Sequence, residues 1–175
     1  MGRLTIVGLG PAGPELITPQ TRAAIDAADR VWLRTTRHPA AAGIEAPSFD
    51  DVYEVADTFA DVYAEITARL AADVAATDGS TVYAVPGSPL VLERTVELLR
   101  AEADADRLDV EILPAISFLD AVWSALGIDP IEAGVRLVDG HVFATAAAGQ
   151  TGPLLVAHTH ANHCVFLLCV SQGHH

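Results

Sequence analysis

The chain opens with Leu4-Thr5-Ile6-Val7-Gly8-Leu9-Gly10-Pro11-Ala12-Gly13-Pro14, an apolar run that breaks into a glycine- and proline-rich turn. The apolar run reads as a buried parallel strand. The turn after it presents backbone N–H groups to a ligand, because glycine permits positive φ and close approach. Gly8, Gly10 and Gly13 also satisfy the G-x-G-x-x-G spacing of a dinucleotide loop. That loop requires its helix to begin inside it, so that the helix N-terminus faces the pyrophosphate. Here Pro14 intervenes, and Thr18-Pro19 places an N-cap and a first-position proline several residues later. At the end of the next strand stands Arg34-Thr35-Thr36-Arg37, where an NAD-binding chain places an acid. An NADP-binding Rossmann domain is therefore the weaker alternative, and the chain offers no constellation for hydride transfer.

Strands are expected at Leu4–Gly8, Arg30–Leu33, Thr81–Val85, Val110–Leu113 and Val135–Val138. A helix is expected from Thr18 to about Ala28, with Ala24, Ile25 and Ala28 inward. The clearest helix runs over Asp57–Ala76, with Phe59, Tyr63, Ile66, Leu70 and Val74 on its core face. Asp57, Asp61, Glu65, Arg69 and Asp73 fall opposite, as a solvated face with a Glu65–Arg69 pair. Leu92, Val96, Leu99 and Ala103 mark the buried side of another helix. Ser117 and Asp120 predict a capping box for a helix carrying Phe118, Val122 and Leu126 inward, with Gly127 as its stop. Thr35–Ser48 reads as a surface excursion with a short strand at Ile44–Ala46.

Alternating strands and helices predict an α/β fold: a Rossmann-like, mostly parallel five-stranded sheet with helices on both faces over residues 1–140. Residues 141–175 read as a linker and the incomplete start of a second α/β subdomain. In such a sheet, ligands sit beyond the carboxyl ends of the strands. The loops Gly8–Pro14, Pro86-Gly87-Ser88-Pro89 and Pro114-Ala115-Ile116-Ser117 all fall at that edge. Any one of them is an ordinary chain reversal; three at one edge define a crevice.

The composition excludes several classes. The net charge of −13, with ten arginines and no lysine, disfavours a grip on nucleic acid. The N-terminus lacks a signal-peptide apolar region, and the late run Cys164–Val170 is too short to span a bilayer. Two cysteines without a secretion signal fit a cytoplasmic location. His158, His160, His163, Cys164 and Cys169 invite a zinc reading, but their spacing matches no established pattern, and no metal site is expected.

The ordered segments Gly8-Leu9-Gly10-Pro11, Pro14-Glu15-Leu16-Ile17-Thr18, Val85-Pro86-Gly87-Ser88-Pro89-Leu90 and Leu113–Ala121 together resemble the tetrapyrrole (corrin/porphyrin) methylase family. Leu33–Pro39, Ser48–Glu54 and Leu126–Glu132 look like one branch of it, the methylase-like N-terminal part of YabN/MazG-type proteins. The resemblance implies a two-domain, S-adenosylmethionine-dependent methyltransferase with a small-molecule acceptor, a homodimer, and the cofactor in the cleft between domains. Carried over, the cofactor contacts fall on Pro11, Pro86, Gly87, Ser88, Val91, Ser117 and Phe118, with Gly8 and Gly10 in the first loop. It assigns no catalytic base; proximity suffices when the cofactor carries the reactive methyl.

The chain also departs from the family. Gly10-Pro11-Ala12-Gly13-Pro14 replaces a usual Gly-Pro-Gly-Asp-Pro, Gly87-Ser88-Pro89 replaces Gly-Asp-Pro, and Pro114-Ala115 replaces Pro-Gly. Two carboxylates are gone, and Ala115 would be strained if its position needed positive φ. The alternative reading is thus a non-catalytic, methylase-derived binding or regulatory module beside a MazG-type nucleoside triphosphate pyrophosphohydrolase. The pyrophosphohydrolase itself would lie elsewhere, since no helix here carries the clustered carboxylates that hold Mg²⁺.

Overall fold

The computed structural model describes residues 2–158 and the backbone of 167–169. By compactness the chain divides into Met1–Ala121 and Val122–His175. In the first unit the opening run forms β1 (Arg3–Gly8), paired in parallel with β3 (Ser80–Val85) and β4 (Asp109–Ile112). β2 (Arg30–Leu33) adds to the far side of β3, giving a four-stranded parallel sheet ordered β2-β3-β1-β4. The pleat sends alternate residues to opposite faces. Leu4, Ile6, Tyr83 and Val85 enter one core with Ile66, Leu70, Val96 and Leu99. Val7, Leu33, Val82 and Ala84 enter the other, against Ala24, Ile25 and Ala28. Burial on both faces explains why these strands read as continuous apolar runs.

Helix α1 (Pro19–Ala27) starts where Thr18-Pro19 predicts, and the Thr18 hydroxyl accepts from the Thr21 N–H at 3.1 Å. Losing such a cap costs about 1 kcal/mol. Thr18→Ala should therefore lower the urea midpoint by that equivalent, with the m-value unchanged.

Other expectations are corrected. Ile44–Ala46 forms no strand: Leu33 donates its N–H to the Pro47 carbonyl at 2.8 Å, leaving one isolated bridge, Leu33↔Ser48. Proline has no N–H with which to extend a ladder there. A short helix not anticipated from the sequence, α2 (Asp50–Val55), follows instead. In α3 (Phe59–Ala75) the buried row is Val62, Ile66, Leu70 and Val74, while Phe59 is 63% exposed and stacks on Tyr63. Phe59 occupies the first helical position behind the Thr58 cap, ahead of the turns that reach the core. Glu65 and Arg69 do pair, at 2.7 Å. Asp73 is not solvated; it accepts from Arg30 Nη1 at 2.6 Å and from the Thr81 hydroxyl at 3.2 Å, tying the helix to the sheet. Leu92 precedes α4 (Arg94–Asp104) rather than joining it, and sits at φ 57°. In α5 (Phe118–Leu126) no residue is fully buried, and Leu126 is exposed. Gly127 ends it at φ 63°, as expected, with the Gly127 and Ile128 N–H groups both reaching the Trp123 carbonyl.

The fifth strand is not part of the first sheet. β5 (Arg136–Asp139) pairs in parallel with β6 (Leu154–Ala157), and β6 pairs antiparallel with β7 (Leu167–Cys169). These three make a separate sheet in the second unit, ordered β5-β6-β7. An apolar run announces a strand but not its neighbour. β5 finds its partner eighteen residues downstream, through the register Arg136↔Leu154 to Asp139↔Ala157. Among the described residues, no helix is long and apolar enough to cross a membrane.

Candidate cofactor site

β1 and β3 finish together, with Gly8 opposite Val85. Leu9 then donates its N–H to the Val85 carbonyl at 2.8 Å, and the two loops cross. At the crossing Gly10 N–H reaches the Gly87 carbonyl at 3.2 Å, and Gly87 N–H reaches the Gly10 carbonyl at 2.8 Å. Loops leaving parallel strands meet here in an isolated antiparallel bridge. Each must reverse to do so, and both glycines have positive φ, 77° at Gly10 and 68° at Gly87.

Gly8 is where all three loops touch. A Cβ on it would lie 2.2 Å from the Gly87 carbonyl oxygen, 2.5 Å from Ala115 Cβ and 2.8 Å from Pro89 Cδ. A Cβ on Gly10 would lie 2.7 Å from the Leu16 carbonyl oxygen. Gly87 is the opposite case: among the described residues, no atom lies within 4 Å of where its Cβ would stand. Two glycines thus close the crossing, and the third opens onto free space.

The remaining residues fall around this crossing or at the third loop. Pro11, Pro86, Ser88 and Val91 are half-buried, and Val91 N–H closes a turn onto the Ser88 carbonyl at 3.1 Å. Ser117 and Asp120 form the expected capping box: Ser117 N–H donates to Asp120 Oδ2 at 2.8 Å, and Leu119 N–H donates to Ser117 Oγ at 3.1 Å. Ser117 is buried by that role, and Phe118 beside it is half-buried. The strain considered for Ala115 does not arise. The described non-glycine residues at positive φ are Leu92, Asp106 and His158.

Behind the second loop lies a buried ion pair. Glu93, at 2% side-chain exposure, holds Arg34 Nη1 at 2.6 Å, and Arg34 Nε donates to the Tyr53 hydroxyl at 2.9 Å. Burial pushes the Glu93 carboxyl up, with Arg34 offsetting part of the rise. Burial would pull the Arg34 guanidinium down, but Glu93 and the nearby tyrosines more than compensate and keep it cationic. Among the described residues, Glu93 Oε1, the Tyr83 hydroxyl and the Thr95 hydroxyl are buried with no hydrogen-bond partner of good geometry. In the sequence Arg34 stands where an NAD-binding chain has an acid and lies in the branch-like segment Leu33–Pro39, and neither reading gives it a buried partner. Its partner is 59 positions away, and no local pattern joins them.

A second polar knot closes the loop after β2. Asp50 accepts from the hydroxyls of Thr35 at 2.6 Å, Thr36 at 2.7 Å and Ser48 at 2.9 Å, and from the Thr36 N–H at 2.9 Å. Burial alone would raise its carboxyl, but these donors hold it well below the usual carboxylate range. A depressed carboxylate stabilises the fold above its unfolded-state value near 3.9 and loses that contribution as pH falls through its folded value. Below about pH 4, Asp50→Asn should lose less stability on acidification than the parent, measured by chemical denaturation at stepped pH.

The match to known proteins runs through the same elements. Residues 3–168 match the family model for Tetrapyrrole (Corrin/Porphyrin) Methylases. The chain belongs to that family. It is 39% identical over 143 residues to YabN, an uncharacterized protein of Bacillus subtilis (strain 168), a match covering 79% of this chain and spanning 29% of YabN's length. Among solved structures, a uroporphyrin-III-C-methyltransferase from Thermus thermophilus superposes with TM-score 0.65 at 24% identity, over 89% of this chain and 68% of that one. A diphthine synthase superposes with TM-score 0.62 at 20% identity, over 88% and 63%. A Thermus thermophilus uroporphyrin-III C-methyl transferase complexed with S-adenyl homocysteine does so with TM-score 0.61 at 21% identity, over 90% and 70%. At these identities the solved structures establish the fold.

Of the tail residues considered as metal ligands, His158 is described, and it faces Asp139 and His141. His160, His163, Cys164 and the Cys169 side chain lie outside the described residues.

Proposed function

We propose that the crossed loops hold S-adenosylmethionine, and that the chain serves methyl transfer to a small-molecule acceptor. The observation that carries this is the Gly10–Gly87 bridge, with the open face of Gly87 beside it. A ligand can approach the main chain there without meeting a side chain. Pro11 and Pro86 stiffen the two loops on either side, and Val91 and Phe118 contribute apolar surface. None of the proposed contact residues is ionisable, which suits a cofactor whose amino-acid end is a zwitterion held by backbone groups. When bound, the cofactor supplies an electrophilic methyl group; the chain's part is to orient it and exclude water.

A second reading keeps the binding and drops the transfer. Gly13 and Ser88 occupy positions where related loops have carboxylates, which favours a binding or regulatory module beside a MazG-type pyrophosphohydrolase. The match to YabN, which leaves most of that protein's length outside it, is compatible with such an arrangement. Equilibrium dialysis with methyl-labelled S-adenosylmethionine addresses both readings. Saturable retention near one cofactor per chain, with label passing to an added acceptor, supports the transferase. Retention with no transfer to any acceptor, with or without an added MazG-type pyrophosphohydrolase, favours the module. Folded protein that retains no label refutes both.

A further inference from the structure

The second unit carries a cluster that the loop crevice does not use. β5 and β6 run parallel and end in register at Asp139↔Ala157, so Asp139 and His158 emerge side by side at the carboxyl edge of their sheet. Asp139 caps the turn Gly140–Val142, accepting from the His141 N–H at 3.0 Å, and this brings the His141 ring back over the same edge. Asp139 Oδ1 lies 2.8 Å from His141 Nδ1 and 3.3 Å from His158 Nδ1. The two rings meet edge to face with centroids 5.1 Å apart.

The backbone is built to keep them there. A Cβ at Gly140 would lie 2.8 Å from both the Ala157 and His158 carbonyl oxygens, so the turn is seated directly on the end of β6. His158 is held at φ 55°, a left-handed conformation that is strained for an L-residue. Strain of this kind persists where the surroundings over-determine it, often at ligand sites. Two imidazoles and one carboxylate, with one ligand atom from each all within 4.8 Å of one another, form a mixed N/O donor set. Zinc bonds of about 2.0 Å give tetrahedral edges of about 3.3 Å; the Asp139–His158 spacing of 3.3 Å equals this, and the Asp139–His141 spacing of 2.8 Å needs the exposed His141 ring to turn outward slightly.

We propose that Asp139, His141 and His158 form a binding site for a divalent transition-metal ion of the zinc type. Three protein ligands fill three corners of a tetrahedron and leave the fourth for water or an exogenous donor. Gly140 and the left-handed His158 act by placing the ligands. The site stands independently of the cofactor reading, since no residue is shared.

The test is titration of the chelator-stripped 175-residue chain with Co²⁺, followed by displacement with Zn²⁺. Expected is a visible d–d absorption band saturating at one Co²⁺ per chain and abolished by one equivalent of Zn²⁺. His141→Ala and Asp139→Asn, both at exposed or half-exposed positions, should each weaken Co²⁺ binding at least tenfold while leaving the far-ultraviolet circular dichroism unchanged. Gly140→Ala should weaken it through displacement of the turn. Two results overturn the proposal: folded protein with no Co²⁺ band, or a band unchanged in both His141→Ala and Asp139→Asn, which would assign the metal to other histidines or cysteines of the chain.

Discussion

Gly8→Val is expected to lower the stability of the chain by about 3 kcal/mol, the upper part of the usual overpacking range. The clash is with backbone: the first added carbon would stand 2.2 Å from the Gly87 carbonyl oxygen and 2.5 Å from Ala115 Cβ. No rotamer change relieves it, so either β1 shifts against β3 or the loop crossing opens. Leu9 N–H and both hydrogen bonds of the Gly10–Gly87 bridge lie immediately beyond. A loss of this size corresponds to a melting temperature lower by about 10 °C for a chain of this length. Differential scanning calorimetry measures it, and amide exchange at Leu9, Gly10 and Gly87 shows whether the crossing opens first. A melting temperature within a degree or two of the parent would mean that the loops do not meet at Gly8.

Arg34→Ala is expected to be larger still, about 3–5 kcal/mol at neutral pH. Removing one partner of a buried pair leaves the other charge uncompensated, and that defect is costly. Here the orphan is Glu93, essentially sealed from solvent and anchored just before α4. The pH dependence has a definite sign. Burial raises the Glu93 carboxyl, so the folded state takes up its proton at a higher pH than the unfolded chain does. Stability then falls as pH rises through the window between the two values. Without Arg34 that window widens upward, so the deficit of Arg34→Ala should shrink on acidification toward pH 5. Pairing the change with Glu93→Leu should recover much of the loss, because a matched apolar pair carries no buried charge. Urea denaturation at pH 5 and pH 8 measures each part. A deficit that grows on acidification would contradict the assignment.

Much of the first unit is legible in the sequence because its signals are local. Thr18-Pro19 starts α1, Ser117 and Asp120 cap α5, and Gly127 stops it; each rule operates within one turn of helix. The loop edge is legible for a similar reason: glycine and proline directly after an apolar run mark the end of a strand. What the glycines do there is not. That Gly8 and Gly10 are closed by packing while Gly87 faces open space depends on which strand lies beside which. Pairing at a distance hides the rest. β5 reads as a strand but cannot announce β6, Arg34 cannot announce Glu93, and Asp73 looks solvated until Arg30 and Thr81 are brought beside it. On α3 the expected core residues Ile66, Leu70 and Val74 are buried and Tyr63 packs half-buried against them, but Val62 takes the place of the exposed Phe59, because both fit the helical period.

Gly87→Asn separates the cradle from the fold. Asparagine tolerates the left-handed backbone found at φ 68°, and its side chain would enter space that no atom of the described residues occupies within 4 Å of the Cβ. Calorimetric titration of the parent and of this variant with S-adenosylhomocysteine is the deciding measurement. Predicted are saturable binding to the parent and affinity at least tenfold weaker in the variant, a difference of about 1.4 kcal/mol, with melting temperatures nearly equal. Equal affinity in the two, or a folded parent that gives no heat of binding, would contradict the placement of the cofactor at the Gly10–Gly87 crossing.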